Sequence, residues 1–327
     1  MKKTPVALVA LALVVAVGFP ASAAPAAYPS KPLEIIAPAN PGGGFDALAR
    51  AINRALEVEK LYPQPMSVVN KPGGGGAVGF AYMQMKAKDD YEMIVYSPPL
   101  IIGNLNGTFP GKYTDLTPIA KLITDYQVFL VRADSPYKTF ADLMAAVKAN
   151  PGAVKFAGGS AAGNMDHLAF CKVAKAAGID PSKLVYVAFS GGGEAMTTLL
   201  GGNVAFVSTG VGEALGQLQA GTVRALAVTS PERRGGILSN VPTVKESGIN
   251  ATYEVWRGVF GPAGMSQAAV TWWAATLKKM VGTATWKDSL DKLQWVDAYA
   301  DAAAFKAFLA EEYKSYQGLM KDLGLSK

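Results

Sequence analysis

Short apolar runs alternate with segments of helical periodicity along most of this chain. LEIIAP (33–38) is followed by DALARAINRALEV, in which Leu48, Ile52, Ala55 and Leu56 fall at i, i+4, i+7 and i+8 and so share one helical face. MSVVN leads into KPGGGG and the helical AVGFAYMQMKA, and YEMIVYS is apolar enough for a strand buried on both faces. A second set of units follows YQVFLVRADS. AVKFAG runs through GSAAGN into MDHLAFCKVAKAAG, KLVYVAF through SGGGEA into MTTLLGG, and NVAFVST through GVGEA into LGQLQAG, with VRALAVTS closing the set. Then come VPTVKESG, a predicted loop carrying YEVWRGVFGPAG, and two helical stretches, AAVTWWAATLKKMV and DAAAFKAFLAEEYKSYQGLMKDLG. Strand and helix in strict alternation argue for parallel strands with crossover helices, the α/β class.

The N-terminus has a different pattern. MKK, the apolar PVALVALALVVAVGF and the small-residue PASA predict a secretory signal peptide over 1–23, cleaved after Ala23. Its apolar run is shorter than the roughly 20 residues that cross a bilayer, so the expectation is a soluble periplasmic protein. The remaining length suits two domains. We place one at 28–126 plus 232–327 and the other at 127–231, with the chain crossing between them twice and a ligand cleft between them.

Composition adds limits. An apolar fraction of 50% excludes a disordered chain. The net charge of +6 becomes +4 once Lys2 and Lys3 leave with the signal (6 − 2), and no cluster of Lys/Arg with aromatics points to a nucleic-acid partner. Cys171 is the single cysteine and His167 the single histidine. One of each on a predicted helix falls short of a metal ligand set, and the thiol reads as a buried core residue. No cofactor is implied.

Chemistry is concentrated where strands hand over to helices. The first turn of a helix has unpaired N–H groups and a partial positive charge, and glycine lets a ligand approach that backbone closely. PGGGFD, SAAGN and SGGGEA combine glycine with polar side chains, of which the neutral hydroxyl and amide donors suit reversible carboxylate binding. Gly74, Gly76 and Gly79 formally satisfy G-x-G-x-x-G, but Asp89 and Asp90 precede the next strand instead of ending it, so a dinucleotide site is a poor fit. No GK[ST] follows either glycine run, which excludes a P-loop. A secreted hydrolase would need Ser160 or Ser190 with His167, yet neither serine lies in G-x-S-x-G. Asp46 reads either as a first-turn acid or as a group meeting a ligand hydroxyl, amine or water. Arg257 reads either as a bidentate carboxylate partner or as the partner of Glu254.

The ordered segments YPSKPLEIIAPANPGGGFDALAR, VVNKPGGGGAVG, FAGGSAAGNMDHLA, YVAFSGGGEAMTTLLGGNV, QAGTVRALAVTSPERR and VPTVKESG resemble the Bug/TctC family over nearly all the mature chain. These are the extracytoplasmic solute receptors of tripartite tricarboxylate transporters. The resemblance implies a non-catalytic, two-domain, hinged periplasmic binding protein of the type II Venus-flytrap fold. It implies a carboxylate held by Ser160, Ala161, Gly163, Asn164, Ser190, Gly191 and Gly192; His167, from its own setting, reads as a helix-face residue either packed or donating one hydrogen bond into the cleft. Gly43, Gly44, Phe45 and Asp46 would close over the other end. Many relatives carry an acid where this chain has Ser208 and Thr209, a change that suits more than one ligand carboxylate. The VWRGVFGPAGMS segment, which carries Arg257, resembles the tricarboxylate-binding branch, and together these make citrate or another tri- or dicarboxylate the expected ligand. Aromatic carboxylates such as terephthalate, and small amides or amino acids, remain alternatives. The implied partners are one large and one small integral membrane subunit, with a sensor protein as a further possibility.

Overall fold

The computed structural model describes residues 28–325, so the expected signal peptide lies outside the described residues. In chain order the elements are β1 (Leu33–Ala37), α1 (Gly44–Val58), β2 (Met66–Asn70), α2 (Ala77–Met85), β3 (Glu92–Tyr96) and α3 (Pro99–Leu105). They continue with β4 (Thr117–Arg132), α4 (Phe140–Ala149), β5 (Phe156–Gly158), α5 (Met165–Ala176), β6 (Tyr186–Ala188), α6 (Gly192–Leu200) and β7 (Phe206–Gly210). The last are α7 (Val211–Gln219), β8 (Val223–Val228), β9 (Glu254–Gly261), α8 (Gln267–Val281), α9 (Ala284–Leu293), β10 (Val296–Ala300) and α10 (Ala302–Asp322).

Two sheets share one strand. The first runs β2-β1-β3-β9-β4-β10 and the second β8-β4-β7-β5-β6. Residues 117–126 of β4 pair with β9, and residues 127–132 pair with β7 and β8. The chain therefore passes from the first sheet to the second within β4, and it returns between β8 and β9.

Alternating side chains fill a core on each face of each sheet, as the period of two in a strand requires. Leu33, Ile35, Met93 and Val95 pack under α1, α8 and α9, whereas Ile36, Ile94 and Tyr96 face α2, α3 and α10. In the second sheet Phe129 and Val131 join the α4 and α5 core, and Val128 and Leu130 join that of α6 and α7. Leu48, Ile52, Ala55 and Leu56 of α1 are all fully buried, as their spacing predicts. Cys171 is a buried thiol, and burial pushes its pKa up to about 12.

The α/β class holds, and two finer expectations need correcting. The sheets are mixed, because β4, β8, β9 and β10 pair antiparallel while β1–β3 and β5–β7 run parallel to one another. The predicted loop YEVWRGVFGPAG is also mostly β9, a central strand. Its two glycines disguise it, and they are there because the strand is crowded. A Cβ on Gly258 would collide with the Phe305 ring and the Ala120 carbonyl.

Candidate functional site

A cavity of ≈ 1140 Å³ opens where the strand-to-helix loops of both sheets meet. From the first sheet come Gly43, Gly44, Phe45 and the Gly73–Gly76 turn, and from the second Ser160, Ala161, Asn164, Ser190, Gly191 and Gly192. All of these were expected from sequence except the Gly73–Gly76 turn. That turn has φ values of +123°, +57°, +62° and +105°, a left-handed run that glycine alone adopts at low cost.

The helices starting here differ from those starting elsewhere. α1, α2 and α6 begin behind Gly43, Gly76 and Gly191, glycines that offer no side-chain cap of their own, although the Gly44 N–H of α1 is taken by Glu213. Away from the cleft, α4, α8, α9 and α10 are each capped by their own Thr139, Ser266, Thr283 and Asp301. α5 is intermediate: Asn164 Oδ1 accepts from the Met165 N–H at 2.8 Å and Ser160 Oγ from the Asp166 N–H at 3.2 Å. The α5 and α6 loops touch closely, since a Cβ on Gly159 would run into the backbone of Gly191 and Gly192.

Several predicted site residues stand behind the cleft wall. Asp46 is 3% exposed and accepts from the Gly42 N–H, Arg50 Nε and Asn70 Nδ2, each at 2.9 Å. Its carboxylate clamps the glycine loop, and these hydrogen bonds hold its pKa below the usual range even though burial pushes the other way. Gly163, at φ +74°, donates its N–H to His167 Nδ1 at 2.9 Å. The imidazole also stacks on Tyr186 with centroids 4.7 Å apart, and burial lowers its pKa to about 4. His167 is thus neutral at pH 7 and braces the α5 loop as an acceptor. Ser208 is fully buried, and Thr209 donates to Glu213 at 3.0 Å.

Arg257 does line the cleft, but its Nη2 is paired with Asp125 Oδ2 at 3.0 Å, both side chains at most 2% exposed. Glu254, one of the two partners considered for it, bonds Lys121 and Thr124 instead. Gly44 lies directly against the guanidinium, leaving no room for a Cβ. Burial pushes the Asp125 carboxyl up, opposed by the adjacent guanidinium.

Two acids here were not among the site residues expected from sequence. Glu213, in the first turn of α7, reaches across to accept the Gly44 N–H at 3.2 Å, tying the second sheet's side to the first. Asp166, fully buried, accepts from Gln127 Nε2 at 2.9 Å, and burial with the nearby Glu213 charge raises its pKa to about 7.

No group of three or more His, Cys, Asp or Glu able to hold a metal occurs among the described residues, and no described helix is long and apolar enough to cross a membrane. The family model for the tripartite tricarboxylate transporter family receptor, TctC, matches residues 48–325. Protein BugT of Bordetella pertussis is 29% identical over 314 residues, covering 91% of this chain and 90% of its own. A TctC solute binding protein from Polaromonas, solved without ligand, is 32% identical with a TM-score of 0.67, covering 90% of this chain and 99% of its own. An R. palustris protein solved with adipate shares the fold at 22% identity and a TM-score of 0.83, over 91% of this chain and 99% of its own. An α/β chain whose two sheets share a strand and face one glycine-lined cleft, matched over this length, belongs to the TctC family of periplasmic solute-binding receptors.

Proposed function

We propose that this protein is an extracytoplasmic receptor that captures a small carboxylate in the cleft and delivers it to a tripartite tricarboxylate transporter. The observation that carries this reading is the convergence of glycine-started, uncapped helix N-termini on a single cavity. Such ends offer backbone N–H groups and positive partial charge to an anion without fixing a cation there. A carboxylate anchors at Ser160, Ala161, Asn164, Ser190, Gly191 and Gly192. The loop at Gly43, Gly44 and Phe45 then closes over its far end. Closure is favoured only by contacts that the ligand makes to both sides.

We assign residues 28–126 with 254–327 to one domain and 127–253 to the other. The second boundary sits further along than the 231/232 expected from sequence. Leu238, Val244 and Ala251 pack into the two cores of the second sheet, which draws the segment up to Tyr253 into that half. The hinge then lies at Tyr126–Gln127 and Tyr253–Glu254.

Citrate, the first expectation, rested on Ser208 and Thr209 standing where many relatives carry an acid and on the VWRGVFGPAGMS segment that holds Arg257; Ser208 and Thr209 are buried outside the cavity lining. With that guanidinium paired to Asp125, the cleft favours a ligand of lower charge, and the fold itself accommodates adipate in the R. palustris neighbour. Gly163, His167, Asp46 and Thr209 act on the ligand indirectly, by holding the loops and Glu213, whereas the Ser208 hydroxyl is buried without a hydrogen-bond partner among the described residues. A hydrolase reading has little support. His167 is neutral and its Nδ1 is engaged by the Gly163 N–H, so His167→Ala should lower affinity without abolishing any turnover. The export signal, the periplasmic location, the large and small membrane subunits and a sensor partner all belong to this same reading.

A thermal-shift screen tests it, using citrate, malate, succinate, adipate, terephthalate, nicotinate and the common amino acids. A ligand at 100 times its Kd adds ~2.7 kcal/mol, a rise of several degrees. No shift with any carboxylate at millimolar concentration would sink the proposal.

A further inference from the structure

Among the described residues that line the cavity, none carries a free positive charge. Arg257 is neutralised by Asp125, and the other charged side chains there are the acids Glu194 and Glu213. The remaining large side chains are apolar: Phe45 and Phe109 from the first sheet's side, Met165 and Phe189 from the second's. Phe45, in the first turn of α1, stands edge-on to Tyr96 with centroids 5.9 Å apart, and Phe109 meets the same ring edge-on at 6.3 Å. An aromatic cluster thus backs the first side. Phe45 and Phe189 are both only half-buried. Phe45 directly follows Gly44, and Phe189 directly precedes the Ser190–Gly192 loop. Glu213 joins these two places, since it accepts the Gly44 N–H at 3.2 Å and a Cβ on Gly192 would come within 3.1 Å of its carboxylate. One aromatic ring from each half therefore flanks the junction of α1 and α6, beside the hydroxyl and backbone donors of the α5 and α6 loops.

We infer that Phe45 and Phe189 form an aromatic clamp and that the solute is an aromatic monocarboxylate, its ring between the two phenylalanines and its carboxylate on the α5 and α6 loops. The inference rests on the receptor reading and names the substrate class of that same site. A flat ring leaves water on both faces and meets phenyl groups in the offset or edge-on arrangements that their quadrupoles favour. A second carboxylate in the ring's place would shed its hydration with no cation to replace it. The cavity of ≈ 1140 Å³ holds such a solute, since pockets of ~300–1,000 Å³ enclose ligands of drug size. Because each half supplies one ring of the clamp, the solute's body makes the contact to both sides that favours closure.

Calorimetric titration compares four ring acids, benzoate, 4-hydroxybenzoate, phenylacetate and nicotinate, with adipate and with cyclohexanecarboxylate. The last matches benzoate in charge and nearly in size but is saturated and puckered. Wild type should bind the best ring acid at least about tenfold more tightly than adipate and about threefold more tightly than cyclohexanecarboxylate. Phe45→Ala and Phe189→Ala should each weaken the best ring acid by roughly tenfold and remove its advantage over cyclohexanecarboxylate. Phe45→Leu keeps apolar bulk against Tyr96, so it should lose the same advantage with the melting temperature near that of wild type. A merely structural role would weaken ring and saturated acids equally. That equal loss, or parity in wild type between the best ring acid and either adipate or cyclohexanecarboxylate, overturns the inference and leaves the receptor standing. Failure of every acid to bind wild type overturns both.

Discussion

Seven of the ten described helix starts fall into two contrasting groups, and the contrast explains how the molecule separates stability from binding. α4, α8, α9 and α10 begin with a Thr, Ser or Asp whose own oxygen satisfies an N–H of the first turn. α1, α2 and α6 begin with a glycine that satisfies nothing, and all three glycines line the cleft. A side-chain cap is worth ~1 kcal/mol, so leaving three helices uncapped is a local sacrifice of stability. What it gains is a set of backbone donors held in place by rigid elements and, apart from the Gly44 N–H that Glu213 takes, not claimed by a side-chain cap.

The largest expected effect concerns what supports the uncapped α1. Arg257 lies directly beneath Gly44, and its only ionic partner among the described residues is Asp125. Asp125→Ala leaves a buried guanidinium unpaired, a change that costs about 3–5 kcal/mol in comparable sites. Urea unfolding should show a loss near the lower figure, because Arg257 borders the cleft and gains water there. A loss below about 1 kcal/mol would mean that the pair does not support the first side.

Next is Gly191→Asp, which converts an open helix start into a capped one. Gly191 has extended backbone at φ −179° and open space around the Cβ position, so aspartate fits without strain. Its carboxylate should cap α6 and occupy the place assigned to the ligand. Affinity should fall at least 100-fold, ~2.7 kcal/mol, while the melting temperature holds or rises slightly. Retained affinity would break the distinction between the two groups of helices.

The second side also has a hidden pH balance. His167 has its pKa lowered from 6.5 to about 4, so between these values the unfolded chain binds more protons and stability rises with pH. Asp166 has its pKa raised from 3.8 to about 7, so over that window the folded chain binds more protons and stability falls as pH rises. The two slopes oppose each other in the wild type. Relative to wild type, Asp166→Asn should show stability climbing more steeply from pH 4 to 6.5. His167→Gln should show it climbing less or falling. Each difference approaches ~1.4 kcal/mol per pH unit at most. Parallel curves for all three proteins would refute the opposed titrations.

The smallest effect is the control. Thr139→Ala removes the α4 cap, including the reciprocal contact with Asp142, and should cost ~1 kcal/mol by urea unfolding with ligand affinity unchanged.

The glycine loops were legible in the sequence because their signal is local: glycine and hydroxyl residues packed between a strand pattern and a helix pattern. Gly43, Gly44, Ser160, Ser190 and Gly191 were found that way, and all line the cleft. Arg257 stayed ambiguous because its partner lies 132 positions earlier on another strand, beyond the reach of any periodicity. Glu213 was missed because GVGEA reads as a loop, whereas α7 already begins at Val211 and places the acid in its first turn. His167 was correctly set on the helix, but its role as an acceptor is decided by burial against Tyr186. β9 was hidden by Gly258, which packing against Phe305 requires and which no propensity rewards.

β4 passes through both sheets, and its middle carries Asp125 and Gln127 on either side of Tyr126. Residues two apart on a strand project to the same face, and here one grips Arg257 and the other Asp166. The strand is thus a common axle with one polar tooth meshed into each half. Any flexing at Tyr126 must alter the spacing of those two teeth, so the bend of a single strand is geared directly to the polar groups behind both jaws of the cleft.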